Sequence, residues 1–207
     1  MKKISFLISA ILILTISCKE ANKNTETIPA DETFDEVTQE QEEVTEEKLE
    51  QAEGEEEYPE LRITLEPKSG SSAKGDVIFT DNNGTVEMTA TLMGLSEGEH
   101  AIHLHEKADC TADDATSAGG HWNPTFEPHG KWGATEGYHK GDIGNFTADA
   151  EGNGTVRFST DEWCIGCDDE KKNIIGKSVV VHEGSDDFTS QPSGDAGARV
   201  SCGGVIQ

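Results

Sequence analysis

From Leu61 onward the sequence breaks into short runs that alternate apolar and polar residues, divided by Gly, Asn and Asp. Alternation sends every second side chain to the same face of an extended strand, so such runs build sheets with one buried face. Arg62-Ile63-Thr64-Leu65-Glu66 alternates, and Gly75–Thr80 is followed by Asp81-Asn82-Asn83-Gly84, a hairpin signal. Thr85–Leu92 alternates again, as do Ala101–Glu106, Asn145–Ala148, Thr155–Phe158 and Lys177–His182. Seven or so strands with turn residues between them predict an all-β sandwich or barrel. Two long stretches break the rhythm, Lys107–Gly144 and Glu183–Ser201. Long ordered loops in a compact β domain usually carry function.

Seven histidines fall within the 83 residues from His100 to His182. In His103-Leu104-His105 the period of two points both imidazoles to one face, close enough to share an ion. Histidine is the usual nitrogen ligand of copper and zinc. Taken alone, though, such a pair more often marks a partly exposed strand edge. The first long loop adds His121, His129, His139 and Asp142. Three imidazoles and a carboxylate are a full tetrahedral zinc set. The loop is rich in Gly and Pro and has little order of its own, so a metal could serve as its core. A polar surface loop with scattered histidines is the bland alternative.

The N-terminal part has a different texture. Met1-Lys2-Lys3 is basic and Ile4–Ile16 is largely apolar, too short to span a bilayer comfortably, so residues 1–17 read as an export signal. The following Ser17-Cys18 resembles the cleavage site of bacterial lipoproteins, with Cys18 as the lipidated first residue. This predicts a lipid anchor in a bacterial cell envelope; ordinary cleavage leaving an unlipidated Cys is the other reading. Between Lys19 and Glu60, 17 acidic residues stand against 3 lysines, so residues 18–58 are expected to be a solvated acidic tether. A helix over 34–49 would have nothing apolar to hold it. From Leu61 to Gln207 there are 24 acidic and 11 basic residues, a balance of −13, which argues against nucleic acid as a partner.

Several segments, in order, resemble the copper/zinc superoxide dismutases. They are Gly98-Glu99-His100-Ala101-Ile102-His103-Leu104-His105-Glu106, Cys110, Ser117-Ala118-Gly119-Gly120-His121-Trp122-Asn123-Pro124, His129-Gly130, His139-Lys140-Gly141-Asp142 and Gly144-Asn145. Val180-Val181-His182-Glu183 and the run Gly197–Ile206 complete the set. The resemblance runs from about Leu61 to Gln207, within a domain expected over 59–207, and implies an eight-stranded Greek-key β-barrel, an immunoglobulin-like sandwich with two functional loops. It implies copper on His103, His105, His121 and His182, and zinc on His121, His129, His139 and Asp142, with His121 as a shared bridge. Asp186 would link His103 to His129, Arg199 would stand beside the copper, and Cys110 would pair with Cys202. His121 and Arg199 would serve catalysis, with superoxide as the substrate. His100 is left over and is expected to pack and hydrogen-bond in the interior.

Two features depart from the family. The 16 residues between His182 and Arg199 include no Lys or Arg to guide an anion. Cys164-Ile165-Gly166-Cys167 adds a Cys-x-x-Cys. In an oxidising compartment a local disulfide or inert thiols is the bland reading of that pair, and a copper-loading or redox role the sharper one. A non-catalytic copper/zinc-binding lipoprotein, for metal buffering or as a chaperone, is the rival function. Filled ligand positions together with Arg199 favour the enzyme. The residues do not set the oligomeric state, a homodimer among the options.

Overall fold

The computed structural model describes residues 60–207. The predicted signal, Cys18 and the acidic tether lie outside the described residues.

Eight strands form a closed antiparallel barrel in the order β1-β2-β3-β6-β5-β4-β7-β8. They are β1 (Glu60–Pro67), β2 (Lys74–Asn82), β3 (Thr85–Met93), β4 (Gly98–His105), β5 (Gly144–Ala148), β6 (Gly154–Thr160), β7 (Ser178–His182) and β8 (Arg199–Gly204). The β3–β6 and β4–β7 neighbours are the long returns of a Greek key. Alternation decides what faces inward. Ile63, Leu65, Val77, Phe79, Val86, Met88, Ala90 and Leu92 meet Ile102, Leu104, Val179 and Val181 in one core. The β2–β3 hairpin turns through Asn83 and Gly84, at φ 54° and 88°, as a two-residue turn that needs positive φ at both positions.

The eighth strand is a correction to the alternation pattern. Arg199–Gly204 lies partly inside the predicted second loop, which ends at Ala198 instead. Its Ser, Cys and Gly residues carry no alternating apolar signal; pairing with β7 and β1 makes it a strand.

The strands nearest the functional loops are buried on both faces. In β4, Ile102 and Leu104 enter the core while His103 and His105 lie on the opposite face, yet all four are buried. In β7, Val179 and Val181 enter the core; Val180 joins a second cluster with Ala115, Ala118 and Cys202. The long loops therefore roof the outer faces of β4 and β7. The first loop docks as an improvised strand: Trp122 N donates to Leu104 O at 2.8 Å, and Glu106 N donates to Gly120 O at 3.0 Å. This places His121 across from His105. A disulfide between Cys110 and Cys202, Cα atoms 5.8 Å apart, ties the loop to β8.

Candidate metal centre

β4 supplies His103 and His105, two residues apart on its outer face. β7 supplies His182 at its end, and the bridge to β4 brings His121 from the first loop. One potential ligand atom from each of these four buried residues lies within 4.8 Å of the others. A second group, His121, His129, His139 and Asp142, meets the same limit. His121 belongs to both, with Nδ1 2.8 Å from Asp142 Oδ1.

The rings are fixed from behind. His105 Nδ1 lies 3.0 Å from Gly119 O and His182 Nδ1 lies 3.4 Å from Gly197 O. A carbonyl only accepts, so each Nδ1 carries the proton and each neutral ring offers Nε2 as a lone pair. Asp186 joins the groups: its Oδ2 is 2.9 Å from His103 Nε2 and its Oδ1 is 2.9 Å from His129 Nε2. That leaves Nδ1 of each ring for another partner. Asp186 is itself held by Asn145, whose Nδ2 donates to Asp186 O and whose Oδ1 accepts from Asp186 N, both at 2.8 Å. Gly194, at φ 70°, makes room for this carboxylate; a Cβ there would overlap Asp186 Oδ1.

Among the described residues, six buried ring nitrogens have no hydrogen-bond partner: His103 Nδ1, His105 Nε2, His121 Nε2, His129 Nδ1, His139 Nδ1 and His182 Nε2. Buried polar atoms are normally satisfied. His129 Nδ1 and His139 Nδ1 do lie 3.0 and 3.2 Å from Asp142 oxygens, but without the angles of a hydrogen bond. Closeness without alignment is how ligands of one cation sit. Nitrogen donors for copper, and nitrogen with one carboxylate for zinc, fit the two groups.

The sequence between residues 73 and 206 matches the model of the family described as copper/zinc superoxide dismutase. The chain belongs to that family. It is 38% identical over 141 residues to an extracellular copper/zinc superoxide dismutase of Drosophila melanogaster, 64% of this chain and 75% of that one. It is 34% identical over 137 residues to one of Caenorhabditis elegans, a match spanning 63% of this chain and 60% of the nematode protein. Among solved structures, the clock protein EA4 superimposes with TM-score 0.62 at 30% identity, over 72% of this chain and 96% of that one. A double mutant of a SOD-like protein from Bacillus subtilis gives TM-score 0.62 at 30% identity, over 70% and 97%.

In this dismutase-family centre, electrostatics favour ligands over cations. Burial lowers His182 to about 3, helped by His103 and His121. It lowers His121 to about 4 against the pull of Asp142. His105 is depressed by burial and by His121. His129 is the exception: burial opposes its charge, but Asp142 and Asp186 outweigh it and raise it to about 9. A cation is thus favoured between those two carboxylates, and a metal at Nδ1 would take the place of the proton. Burial works to raise Asp142 and Asp186, but the imidazoles bonded to them hold both well below the usual carboxylate range.

Arg199 stands opposite His182 in the β7–β8 register, where a bulge between Val181 and His182 re-aims the chain. Its Nη1 donates to Ala115 O at 2.7 Å, and Ala115 takes a left-handed φ of 57° to present that carbonyl. Arg199 lines a surface cavity with His105, His121, His139 and His182, and Glu106 and Asp195 share the lining. His100 lies apart: Nδ1 is 2.8 Å from His182 O and Nε2 is 2.9 Å from Ser96 O.

Some contributors had no sequence signal. Asn145 lies in a quoted motif, but nothing in it announced a bond to Asp186. Gln191 brackets the main chain of His129, accepting from His129 N and donating to His129 O at 2.9 Å each. The Cys-x-x-Cys is a disulfide, Cys164–Cys167.

Proposed function

We propose that this chain is a superoxide dismutase, converting two superoxide anions and two protons into dioxygen and hydrogen peroxide. Copper would be held by His103 Nδ1, His105 Nε2, His121 Nε2 and His182 Nε2. Zinc would be held by His121 Nδ1, His129 Nδ1, His139 Nδ1 and Asp142, so that His121 bridges the two. The observation that carries the reading is the set of six buried, unpartnered ring nitrogens, since each belongs to one of these two sets. Bound copper supplies reversible one-electron chemistry, which zinc lacks.

The chain's own residues do the rest. Arg199 offers a fixed cation to an anion entering the cavity, its guanidinium oriented by Ala115 O. His121 also lines the cavity; its Nε2 would hold either copper or a proton, never both, so it would hand a proton to peroxide only while off the metal, with the ring held from its Nδ1 side beside Asp142. Asp186 fixes His103 and His129 together, which couples the two sets. A buffering or chaperone role gives no reason for an arginine in this cavity. Relatives named extracellular, together with the leader-like residues 1–17, support export.

The test is metal analysis of the purified protein with a superoxide-decay assay, repeated on His182→Ala. We expect copper and zinc in the wild type, and a variant that stays folded and zinc-bound without turnover. Retained activity in that variant would overturn the copper assignment.

A further inference from the structure

His139 is the least sheltered imidazole of the proposed zinc set. Its side chain is 7% exposed, against 1% for His121 and 0% for His129. From within the set, Asp142 Oδ2 accepts from His139 N at 2.8 Å and Asp142 N donates to His139 O at 3.1 Å. The residues on either side of it are gripped from elsewhere. Tyr138 Oη donates to Glu162 Oε1 at 2.6 Å, and Lys140 Nζ bonds Glu162 Oε2. Trp163 Nε1 donates to Lys140 O at 2.8 Å. Two consecutive residues after β6 thus bracket the ligand on both sides.

This bracket is stiff. The Trp163 ring is 1% exposed and packs against Phe79, Trp132 and Phe158, with centroids 6.5, 5.9 and 4.9 Å away. Glu162 N donates to Thr160 Oγ1 at 2.9 Å, where β6 ends. On the other side, Cys164 N donates to Lys172 O at 2.8 Å and Cys164 O accepts from Ile174 N at 3.0 Å. The Cys164–Cys167 disulfide closes this turn, and Asn173 clasps it by accepting from Gly166 N and donating to Cys167 O.

We propose that Glu162 and Trp163 are positioning residues for the zinc ligand His139, and that the Cys164–Cys167 disulfide holds them in place. The inference rests on the zinc reading above. Without the bracket, residue 139 keeps only its bonds to Asp142; Gly141 stays tied to Leu104 N and Trp122 O, so it is residues 138–140 that can shift away from the ion. Copper ligands on β4 and β7 are not touched by the bracket, so its loss should act on zinc first.

The experiment measures zinc release from the metal-loaded protein into a chromophoric chelator. It is repeated with cobalt at the zinc site to read coordination from the visible spectrum. Glu162→Ala, Trp163→Phe and the double variant Cys164→Ser/Cys167→Ser are compared with the wild type. Partners of metal ligands typically set affinity by 10–100-fold, so we expect release about tenfold faster in Glu162→Ala and altered cobalt bands. Glu162→Gln keeps an acceptor for Tyr138 and should recover part of the loss. Trp163→Phe removes the indole donor and keeps an aromatic ring in the core, and Glu162→Ala leaves that core untouched, so the two variants separate a lost bond to Lys140 O from lost packing. Release and cobalt spectra unchanged in the folded variants would overturn the proposal. So would a loss confined to the melting temperature of the metal-free protein. A wild type that holds no zinc would instead defeat the zinc reading itself.

Discussion

Stripping the metals from this protein should loosen its loops before its barrel. Among the described residues six buried ring nitrogens make no aligned hydrogen bond, and two of them, His129 Nδ1 and His139 Nδ1, still face Asp142 oxygens at 3.0 and 3.2 Å. Leaving a buried polar group unsatisfied costs about 1–3 kcal/mol, so the other four set a penalty of about 4–12 kcal/mol if the scaffold stays rigid. That is comparable with the roughly 5–15 kcal/mol that keeps a domain folded. The metal-free chain can relieve part of it by admitting water, and the residues free to move are those outside the strands, 106–143 and 183–198. For a domain near this size each kcal/mol is worth about 2–4 °C, so we expect metal removal to lower the melting temperature by on the order of 10 °C. Calorimetry of loaded and chelator-treated protein measures the shift. Hydrogen exchange locates it, with protection lost first around His121–Asp142 and around Asp186. A metal-free protein melting within about 3 °C of the loaded form would refute the reasoning, because the nitrogens would then have partners that do not depend on metal. Exchange rising evenly over the whole barrel would refute it too.

Arg199→Ile should slow turnover at least about tenfold, a loss of about 1.4 kcal/mol at the barrier, while the response of the wild-type rate to salt stays weak. Rates across ionic strength check both, and a steep fall with salt would point to a basic patch elsewhere. The metal-free protein should lose stability as pH falls from about 6.5 toward 4. Burial holds His121 at about 4 and His182 at about 3, so the unfolded chain takes up protons on these residues first. His129, raised to about 9, keeps its full contribution throughout that window and loses it only on the alkaline side. Denaturant titrations of chelated protein between those pH values check this: a profile rising toward pH 4 would reverse the sign, and a flat one would deny the shifts. Cys18→Ser should move the protein from the membrane fraction to the soluble one, whereas wild-type protein recovered wholly soluble and unlipidated would reject the anchor.

The barrel was legible because its signal is local. Val86, Met88, Ala90 and Leu92 alternate inward with Thr85, Glu87, Thr89 and Thr91, and the Asn83-Gly84 turn fixes the register to β2. β8 was not legible from alternation, because Ser201, Cys202, Gly203 and Gly204 owe their strand geometry to neighbours on both sides. The proposed ligand residues stood out through histidine spacing and the resemblance to the family. Their supports did not: the carbonyls of Gly119 and Gly197 leave no trace in residue identity, and Gln191 reaches His129 across 62 positions.

The two proposed metals rest on different kinds of structure. Three of the four copper ligands come from strands, and β7–β8 pairing sets Arg199 across from one of them. A change in strand register would therefore displace ligand and guanidinium together. All four zinc ligands come from one irregular loop, which owes its order to contacts from outside: the bridge to β4, the disulfide to β8, Asp186 with Gln191, and the Glu162–Trp163 bracket. Irregular backbone with little regular pairing opens more readily than a barrel strand. Substitutions on those outer contacts should then act first on zinc retention and stability. They should reach turnover chiefly through His121 and Asp186, the two residues that belong to both sides.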